Sequence, residues 1–197
     1  MPDLLVAHPH TRILPPGHYG IEGTGVTISL VEGLALASLA TRGDLAALDA
    51  RCQTAFGLVL PSGPRYVAGP EVGFVGLGPG RWLAIGRPGA DLEHRLRAAL
   101  APGVAVADQS DAYVLFDVTG PDARATLAKG VAIDLDPAVF GPGAAATTSV
   151  ALIGVTFWQI DAAPTYRFAV GRSFAPSFSR FLATSAAEFG CTIADRG

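Results

Sequence analysis

Residues 74–108, FVGLGPGRWLAIGRPGADLEHRLRAALAPGVAVAD, combine two apolar runs, a helical pattern and a further apolar run. Gly78-Pro79-Gly80 separates the runs 74–77 and 82–86, and this spacing predicts a β-hairpin. The glycines resemble a phosphate-binding loop. However, no Gly-Lys-Ser/Thr follows them, and the next element is a strand rather than a helix whose N-terminus faces an anion. The hairpin is therefore the better interpretation.

A helix follows the hairpin. Leu92, Leu96 and Leu100 recur at helical spacing after Asp91, and Pro102-Gly103 ends the pattern before the strand at 104–108. Upstream, two strand-like runs cover 26–31 and 34–40. Asp44 and Gly57 then bound a helix whose inner face is predicted to hold Leu45, Leu48, Cys52 and Phe56. From residue 34 onward, the predicted order is β-α-β-β-α-β.

The second half of the chain repeats this order, which predicts two consecutive split-βαβ (ferredoxin-like) units and an α+β fold. The expected division is an irregular N-terminal arm at 1–25, a first unit at 26–109 and a second unit at 110–197. The strands of the second half are predicted at 113–118, 144–159, 166–170 and 191–194, and its helices at 120–130 and 175–189.

The composition excludes several classes of protein. Of the 197 residues, 50% are apolar and 16% are charged, so the chain can bury a core and is not disordered. The net charge of −3 gives no basic surface for nucleic acid or anionic lipid. The uncharged stretch 137–160 favours buried strands over a membrane span. The mean hydropathy of +0.39 suggests that a partner covers some of the surface.

The two cysteines, Cys52 and Cys191, have no metal-binding or redox spacing and are expected to be buried thiols in a reducing compartment. No export signal is visible at residues 1–4. The expected location is therefore cytoplasmic, with no membrane association.

The segment 171–175 is one residue short of the Gly-x-Ser-x-Gly nucleophile elbow of hydrolases. In that fold the catalytic histidine follows the serine, whereas all four histidines here precede Ser173. We therefore expect Ser173 or its neighbour to cap the helix that begins near 175. His8, His10 and His18 lack a fourth metal ligand. The aspartates between 108 and 136 are expected to cap helices and fix turns. The residues themselves predict no catalytic, cofactor-binding or metal site.

An ordered set of short motifs in the second half resembles the gamma subunit of heterotetrameric sarcosine oxidase, and one hairpin motif before them fits the same family. The motifs are Gly78-Pro79-Gly80-Arg81-Trp82-Leu83, Val106-Ala107-Asp108-Gln109-Ser110, Gly120-Pro121-Asp122-Ala123-Arg124, Ile133-Asp134-Leu135-Asp136-Pro137 with Phe140 and Gly143, Arg172-Ser173-Phe174-Ala175, and Ala186-Ala187-Glu188-Phe189-Gly190.

The resemblance implies a fold similar to that of the folate-binding aminomethyltransferases. It also implies a role in a complex that oxidatively demethylates sarcosine to glycine and passes the one-carbon unit to tetrahydrofolate. FAD, FMN, NAD and zinc are then expected on the alpha, beta and delta subunits, with no cofactor on this chain. The chain itself is expected to act in assembly.

Arg172, with Ser173, is the first candidate for the interface, because a guanidinium at a strand-to-helix junction can bind a partner's carboxylate or carbonyl groups. Asp108, Gln109 and Ser110 are the second candidates, since they form a polar break between two apolar strands. The alternative is that both sets tie together loops of this chain, and the sequence leaves both open.

A stand-alone folate-binding or one-carbon-binding protein of the aminomethyltransferase type is the competing function. It needs an acidic residue and an aromatic wall in one cavity, and Asp108 or Asp117 with Tyr113 or Phe116 are the candidates. Neighbouring genes for flavoprotein subunits would favour the complex over this alternative.

Overall fold

The computed structural model describes residues 15–194. Within them lie twelve strands, four α-helices and two 3-10 turns, at Arg172–Phe174 and Ala187–Phe189. The strands are β1 (Gly17–Tyr19), β2 (Val26–Val31), β3 (Ala35–Thr41), β4 (Tyr66–Ala68), β5 (Val72–Gly78), β6 (Arg81–Gly86), β7 (Val104–Asp108), β8 (Tyr113–Thr119), β9 (Ala145–Val150), β10 (Ile153–Asp161), β11 (Thr165–Gly171) and β12 (Cys191–Ile193). The helices are α1 (Leu45–Phe56), α2 (Leu92–Leu100), α3 (Ala123–Ala128) and α4 (Ala175–Ala186).

The first sheet, of residues 35–108, has the strand order β4-β5-β6-β3-β7. Helices α1 and α2 cover one face of it and bury Leu48, Cys52 and Leu96 against the strands. The predicted bounds of α1 are confirmed. The Asp44 side chain accepts hydrogen bonds from two N–H groups of the first turn, and Gly57 ends the helix with a left-handed φ of 69°. Leu45 was predicted on the buried face but is half exposed, because it is the first residue of the helix.

The second sheet has the order β1-β12-β2-β8-β11-β10-β9 in the described part of the chain. Here β8, α3, β10, β11 and α4 follow the same path as β3, α1, β5, β6 and α2 in the first sheet. The last strand differs, because β7 pairs directly with β3 whereas β2 lies between β12 and β8. The prediction of two consecutive split-βαβ units is therefore confirmed. The uncharged stretch forms β9 and β10, as expected. Among residues 15–194, no helix is long and apolar enough to cross a membrane.

Strand β2 lies in a different place from the one expected. It was predicted to open the first unit, yet it pairs with β8 and β12 in the second sheet. Gly33 has a φ of 78° in the connection to β3, and the chain passes there from one sheet to the other instead of returning as a hairpin. Part of the arm predicted to be irregular is also a strand, because Gly17–Tyr19 pairs with β12. Residues 1–14 of the predicted arm fall outside the described residues.

Hydrogen bonds join the two sheets along one edge. The Tyr66 N–H donates to the Gly143 carbonyl at 2.8 Å, and the Ala145 N–H donates to the Pro64 carbonyl at 3.0 Å. A separate apolar core lies between the sheets, with Leu36 and Leu83 from the first and Trp158 from the second. The two units are thus held together both by backbone pairing and by a shared core.

Candidate functional site

Arg172 lies where β11 ends and the chain turns into α4, and it contacts the connection between the two units. Its backbone N–H donates to the Ala112 carbonyl at 2.9 Å, and its Nε donates to the Asp111 carbonyl at 2.5 Å. The guanidinium also lies 3.5 Å from the carboxylate of the fully exposed Asp111. Arg172 therefore fixes the turn between β7 and β8 while its side chain stays 28% exposed.

Asp108, Gln109 and Ser110 form the other side of this connection. The Asp108 carboxylate accepts the Ser110 hydroxyl at 2.7 Å and the Ser110 N–H at 3.1 Å. These hydrogen bonds from Ser110 lower the pKa of Asp108, because they stabilise the ionised carboxylate. The Ser110 Oγ in turn accepts the Leu36 N–H at 3.0 Å, and the Gln109 N–H donates to the Leu36 carbonyl at 2.8 Å.

Both candidate sets therefore tie together loops of this chain, which is the alternative that the sequence left open. Whether they also contact a partner stays a prediction. The structure brings two of the five residues, Ser110 and Arg172, to the same cleft, whereas Asp108, Gln109 and Ser173 do not line it.

This cleft, which we call the linker cleft, lies where the β2–β3 and β7–β8 connections cross between the sheets and has a volume of about 460 Å³. Val31, Leu36 and Leu115 supply apolar lining, and all three belong to the core between the sheets. Polar groups also line it, from Glu32, Ser110, Asp111, Tyr113 and Arg172. An apolar lining with a few polar groups is the usual character of a binding site.

Ser173 does not cap the helix, so that prediction is wrong. The residues Arg172–Phe174 form a 3-10 turn that leads directly into α4, whose first turn contains Pro176 and receives no side-chain cap. Ser173 is exposed. In the described residues no hydrogen bond joins Ser173 to the ring of His18 or His94. The His18 ring contacts the Ile21 carbonyl instead.

The residues considered for a folate pocket do not converge. Asp117 and Phe116 are consecutive in β8, so their side chains point to opposite faces of the sheet. Phe116 is fully buried against Phe178 of α4, with ring centroids 5.4 Å apart. Asp117 faces the other sheet and binds Arg167. Only Tyr113 of this set lines the linker cleft.

The pair Asp117–Arg167 is a feature that the sequence did not reveal. The Nε and one terminal nitrogen of Arg167 each donate to a carboxylate oxygen of Asp117 at 2.7 Å. Burial alone would lower the pKa of Arg167, but the hydrogen bonds and charge of Asp117 outweigh it and raise that pKa. Tyr66 lies nearby and packs against Trp158, with the ring centroids 5.5 Å apart and the ring planes tilted by 36°. Burial raises the pKa of Tyr66, and the charge of Arg167 partly offsets this.

The aspartates were expected to cap helices and fix turns, and the expectation is confirmed in part. The Asp134 carboxylate accepts the Asp136 N–H at 2.8 Å, which is a turn of the predicted kind. Asp122 stands at the N-cap of α3 but makes no side-chain cap. For Asp117 the expectation is wrong, because this residue lies in the middle of β8 and forms an ion pair with Arg167. Among residues 15–194, no three His, Cys, Asp or Glu side chains are grouped to bind a metal.

Comparison with known proteins gives the family. The model of the family described as "Sarcosine oxidase, gamma subunit family" matches residues 42–188, which is most of the chain. The chain belongs to this family. The matched range contains both candidate sets, whereas β2 and its connection to β3, which line the linker cleft on one side, precede it.

Two relatives are gamma subunits of sarcosine oxidase. The one from Corynebacterium sp. (strain P-1) is 39% identical over 109 residues, and the one from Arthrobacter sp is 37% identical over 109 residues. In both cases the match covers 53% of this chain and 53% of the relative. The match therefore spans about half the length of these gamma subunits.

Two solved structures share the fold. The first is a chain of the heterotetrameric sarcosine oxidase from Corynebacterium sp. U-96, solved in complex with pyrrole 2-carboxylate. It is 28% identical to this chain with a TM-score of 0.76, and the match covers 90% of this chain and 91% of that one. The glycine cleavage system aminomethyltransferase T from Bartonella henselae is 14% identical with a TM-score of 0.62, covering 88% of this chain and 47% of that one. The second likeness shows the fold alone, and it confirms the predicted aminomethyltransferase fold.

The residues of the linker cleft that sequence reasoning missed include Glu32, Gly33 and Leu34 on the β2–β3 connection. The signal for these residues was the break at Glu32-Gly33 between the two apolar runs 26–31 and 34–40. Its position in a cleft depends on β2 joining the second sheet, and this pairing is not visible in the local sequence.

Proposed function

We propose that this chain is a non-catalytic gamma subunit of a heterotetrameric sarcosine oxidase and acts in the assembly and stabilisation of the complex. Its partners are the alpha, beta and delta subunits. The observation that carries the proposal is the similarity, over 90% of this chain, to a chain of a solved heterotetrameric sarcosine oxidase. Membership of the gamma subunit family agrees with it.

The geometry supports a scaffold more than a reaction centre. Ser110 and Arg172, two of the polar residues that line the linker cleft, fix the connection between the two units, so this side of the cleft keeps its shape without a ligand. The Arg172 side chain is 28% exposed, so a partner's carboxylate or carbonyl can approach the guanidinium that Asp111 already contacts. A preformed surface of this kind limits the conformational entropy lost on association.

In this proposal the chemistry belongs to the other subunits. The complex oxidises sarcosine to glycine and transfers the one-carbon unit to tetrahydrofolate, with FAD, FMN, NAD and zinc bound outside this chain. The glycine-rich segment that resembled a phosphate-binding loop, Gly78-Pro79-Gly80, is a hairpin turn between β5 and β6. The proposed location is the cytoplasm, which two buried, unpaired cysteines suit.

The proposal is tested by co-expressing the tagged chain with the genes for the other subunits, followed by size-exclusion chromatography and a visible spectrum. The expected result is a large yellow complex that consumes oxygen with sarcosine, while the isolated chain is colourless and inactive. Arg172→Ala should reduce recovery in the complex. Arg180→Ala is the matched control, because Arg180 is an exposed arginine in α4 whose side chain donates a hydrogen bond to the nearby Ser177 hydroxyl.

The opposite result would be a chain that elutes alone when all subunits are present. If that isolated chain also binds tetrahydrofolate in a calorimeter, the stand-alone folate-binding function replaces the subunit function.

A further inference from the structure

The hairpin that joins β9 to β10 has an unusual turn. Val150 pairs with Ile153, so the turn consists of Ala151 and Leu152 alone. Both residues have positive φ, 47° and 69°, and they are the non-glycine residues of the described chain with this conformation. Two-residue turns of this shape favour Asn-Gly, because side chains with a branched or bulky Cβ substituent are disfavoured in the left-handed region. The sequence at this tip is thus locally unfavourable.

Burial within the described chain does not compensate for placing a leucine there. Leu152 is 97% exposed, whereas Val150 and Ile153 on either side are buried in the core of the second unit. The adjacent residues Ala151 and Gly154 are also exposed and carry no charge. A strained position with a fully exposed apolar side chain indicates a function outside the folding of this chain.

The tip is held in place by its neighbours. The Ala151 N–H donates to the Gly130 carbonyl at 3.2 Å, and Val150 forms a β-bridge with Val131. Gly130 itself packs so closely on α4 that an added Cβ would lie 2.4 Å from the Phe181 ring. Leu152 is therefore presented on a fixed base, so binding through it does not have to order a loop.

We propose that Leu152 is an anchor that inserts into an uncharged apolar pocket on another subunit of the sarcosine oxidase complex. This inference rests on the proposed function. The stretch 137–160, which includes β9 and the tip, has no charged residue, and this favours an uncharged receiving surface. The high mean hydropathy of the chain, +0.39, agrees with coverage by a partner.

A different subunit is a better binding partner for Leu152 than a second copy of this chain. The linker cleft combines an apolar lining with charged residues such as Glu32 and Asp111. Leu152 inserted into the cleft of a second copy would therefore meet these charged side chains rather than an uncharged pocket. The solved relative is a chain of a heterotetramer.

The test uses Leu152→Gly and Leu152→Asn, both of which suit the left-handed conformation, with Leu45→Ala as the matched control. Leu45 is a half-exposed leucine at the start of α1, on the first unit. Each variant is studied alone by thermal unfolding and against the other subunits, co-expressed and immobilised, by dissociation kinetics. Leu152→Gly should raise the Tm of the isolated chain by about 2 °C. It should also weaken association about 10- to 100-fold, while Leu45→Ala leaves association unchanged.

The results separate this proposal from the proposed function. If the wild-type chain binds the other subunits and Leu152→Gly binds them equally well, the anchor is wrong and the subunit function stands. If the wild-type chain does not bind them, the proposed function fails and the anchor fails with it. If the isolated chain self-associates and Leu152→Gly abolishes this, the occupant is a second copy and the proposal is overturned.

Discussion

Replacing Arg167 by methionine should destabilise the protein strongly, because it leaves the Asp117 carboxylate without its partner. The two side chains are only 19% and 15% exposed, and each carboxylate oxygen accepts one hydrogen bond at 2.7 Å. Methionine preserves most of the apolar stem of the arginine, so the change isolates the loss of the guanidinium.

The expected size follows from this burial. Removing one partner of a fully buried ion pair costs about 3–5 kcal/mol, whereas exposed pairs contribute about 0–1 kcal/mol. Because the Asp117–Arg167 pair is more than four-fifths buried, we expect Arg167→Met to lower the free energy of unfolding by about 3 kcal/mol. For a chain of this size, that corresponds to a fall in Tm of roughly 6–12 °C. The double variant Asp117→Leu/Arg167→Met should lie within about 1 kcal/mol of the wild type, since no uncompensated charge remains.

Urea unfolding of the isolated chain, followed by tryptophan fluorescence, measures these differences. Arg95→Met is the matched control, because the Arg95–Glu71 pair is 3.7 Å apart with side chains 41% and 46% exposed, and its loss should cost less than about 1 kcal/mol. The reasoning is refuted if Arg167→Met costs no more than Arg95→Met, or if the double variant is as unstable as the single one.

Three further outcomes are expected. Burial raises the pKa of both Cys52 and Cys191 to about 11, so neither thiol should react with a disulfide reagent at pH 8 until the protein unfolds; rapid reaction of the native protein would contradict this. Gly120→Ala should lower the free energy of unfolding by at least about 2 kcal/mol, because Gly120 has a φ of +114° and an added Cβ would lie 2.4 Å from the Gly25 carbonyl oxygen. An unchanged midpoint of urea unfolding would contradict this prediction. The pKa of Asp108 is lower in the folded protein than in the unfolded chain. The ionised carboxylate therefore stabilises the fold at pH values above the unfolded pKa, and this stabilisation is lost as the pH falls through the folded pKa. The stability difference between wild type and Asp108→Asn should therefore shrink below pH about 4, and a difference that grows on acidification would be the wrong sign.

The sequence predicts those parts of the fold that local signals determine. Asp44 and Gly57 bound α1 because a side-chain cap and a left-handed glycine act within one helical turn. The hairpin at Gly78-Pro79-Gly80 is likewise local. The repeated order of strands and helices then suffices for two split-βαβ units, because each unit has few ways to bury its helices against one sheet.

Non-local pairing accounts for what the sequence could not predict. Strand β2 is one of two apolar runs that lie on either side of the turn signal at Glu32-Gly33. Only its pairing with β8 and β12 shows to which sheet it belongs. Asp117 and Arg167 are 50 positions apart, and they meet because β8 and β11 are neighbours in register. The linker cleft depends on the same crossing between sheets, so its lining residues could not be identified as a set.

The central claim, that this chain is a subunit of a heterotetramer, is tested most directly by light scattering on the purified complex after co-expression of all four subunits. The account predicts one species that contains this 20.2 kDa chain in equal proportion to the alpha, beta and delta subunits. A chain that elutes at its own mass while the other three subunits assemble into an active oxidase would contradict it.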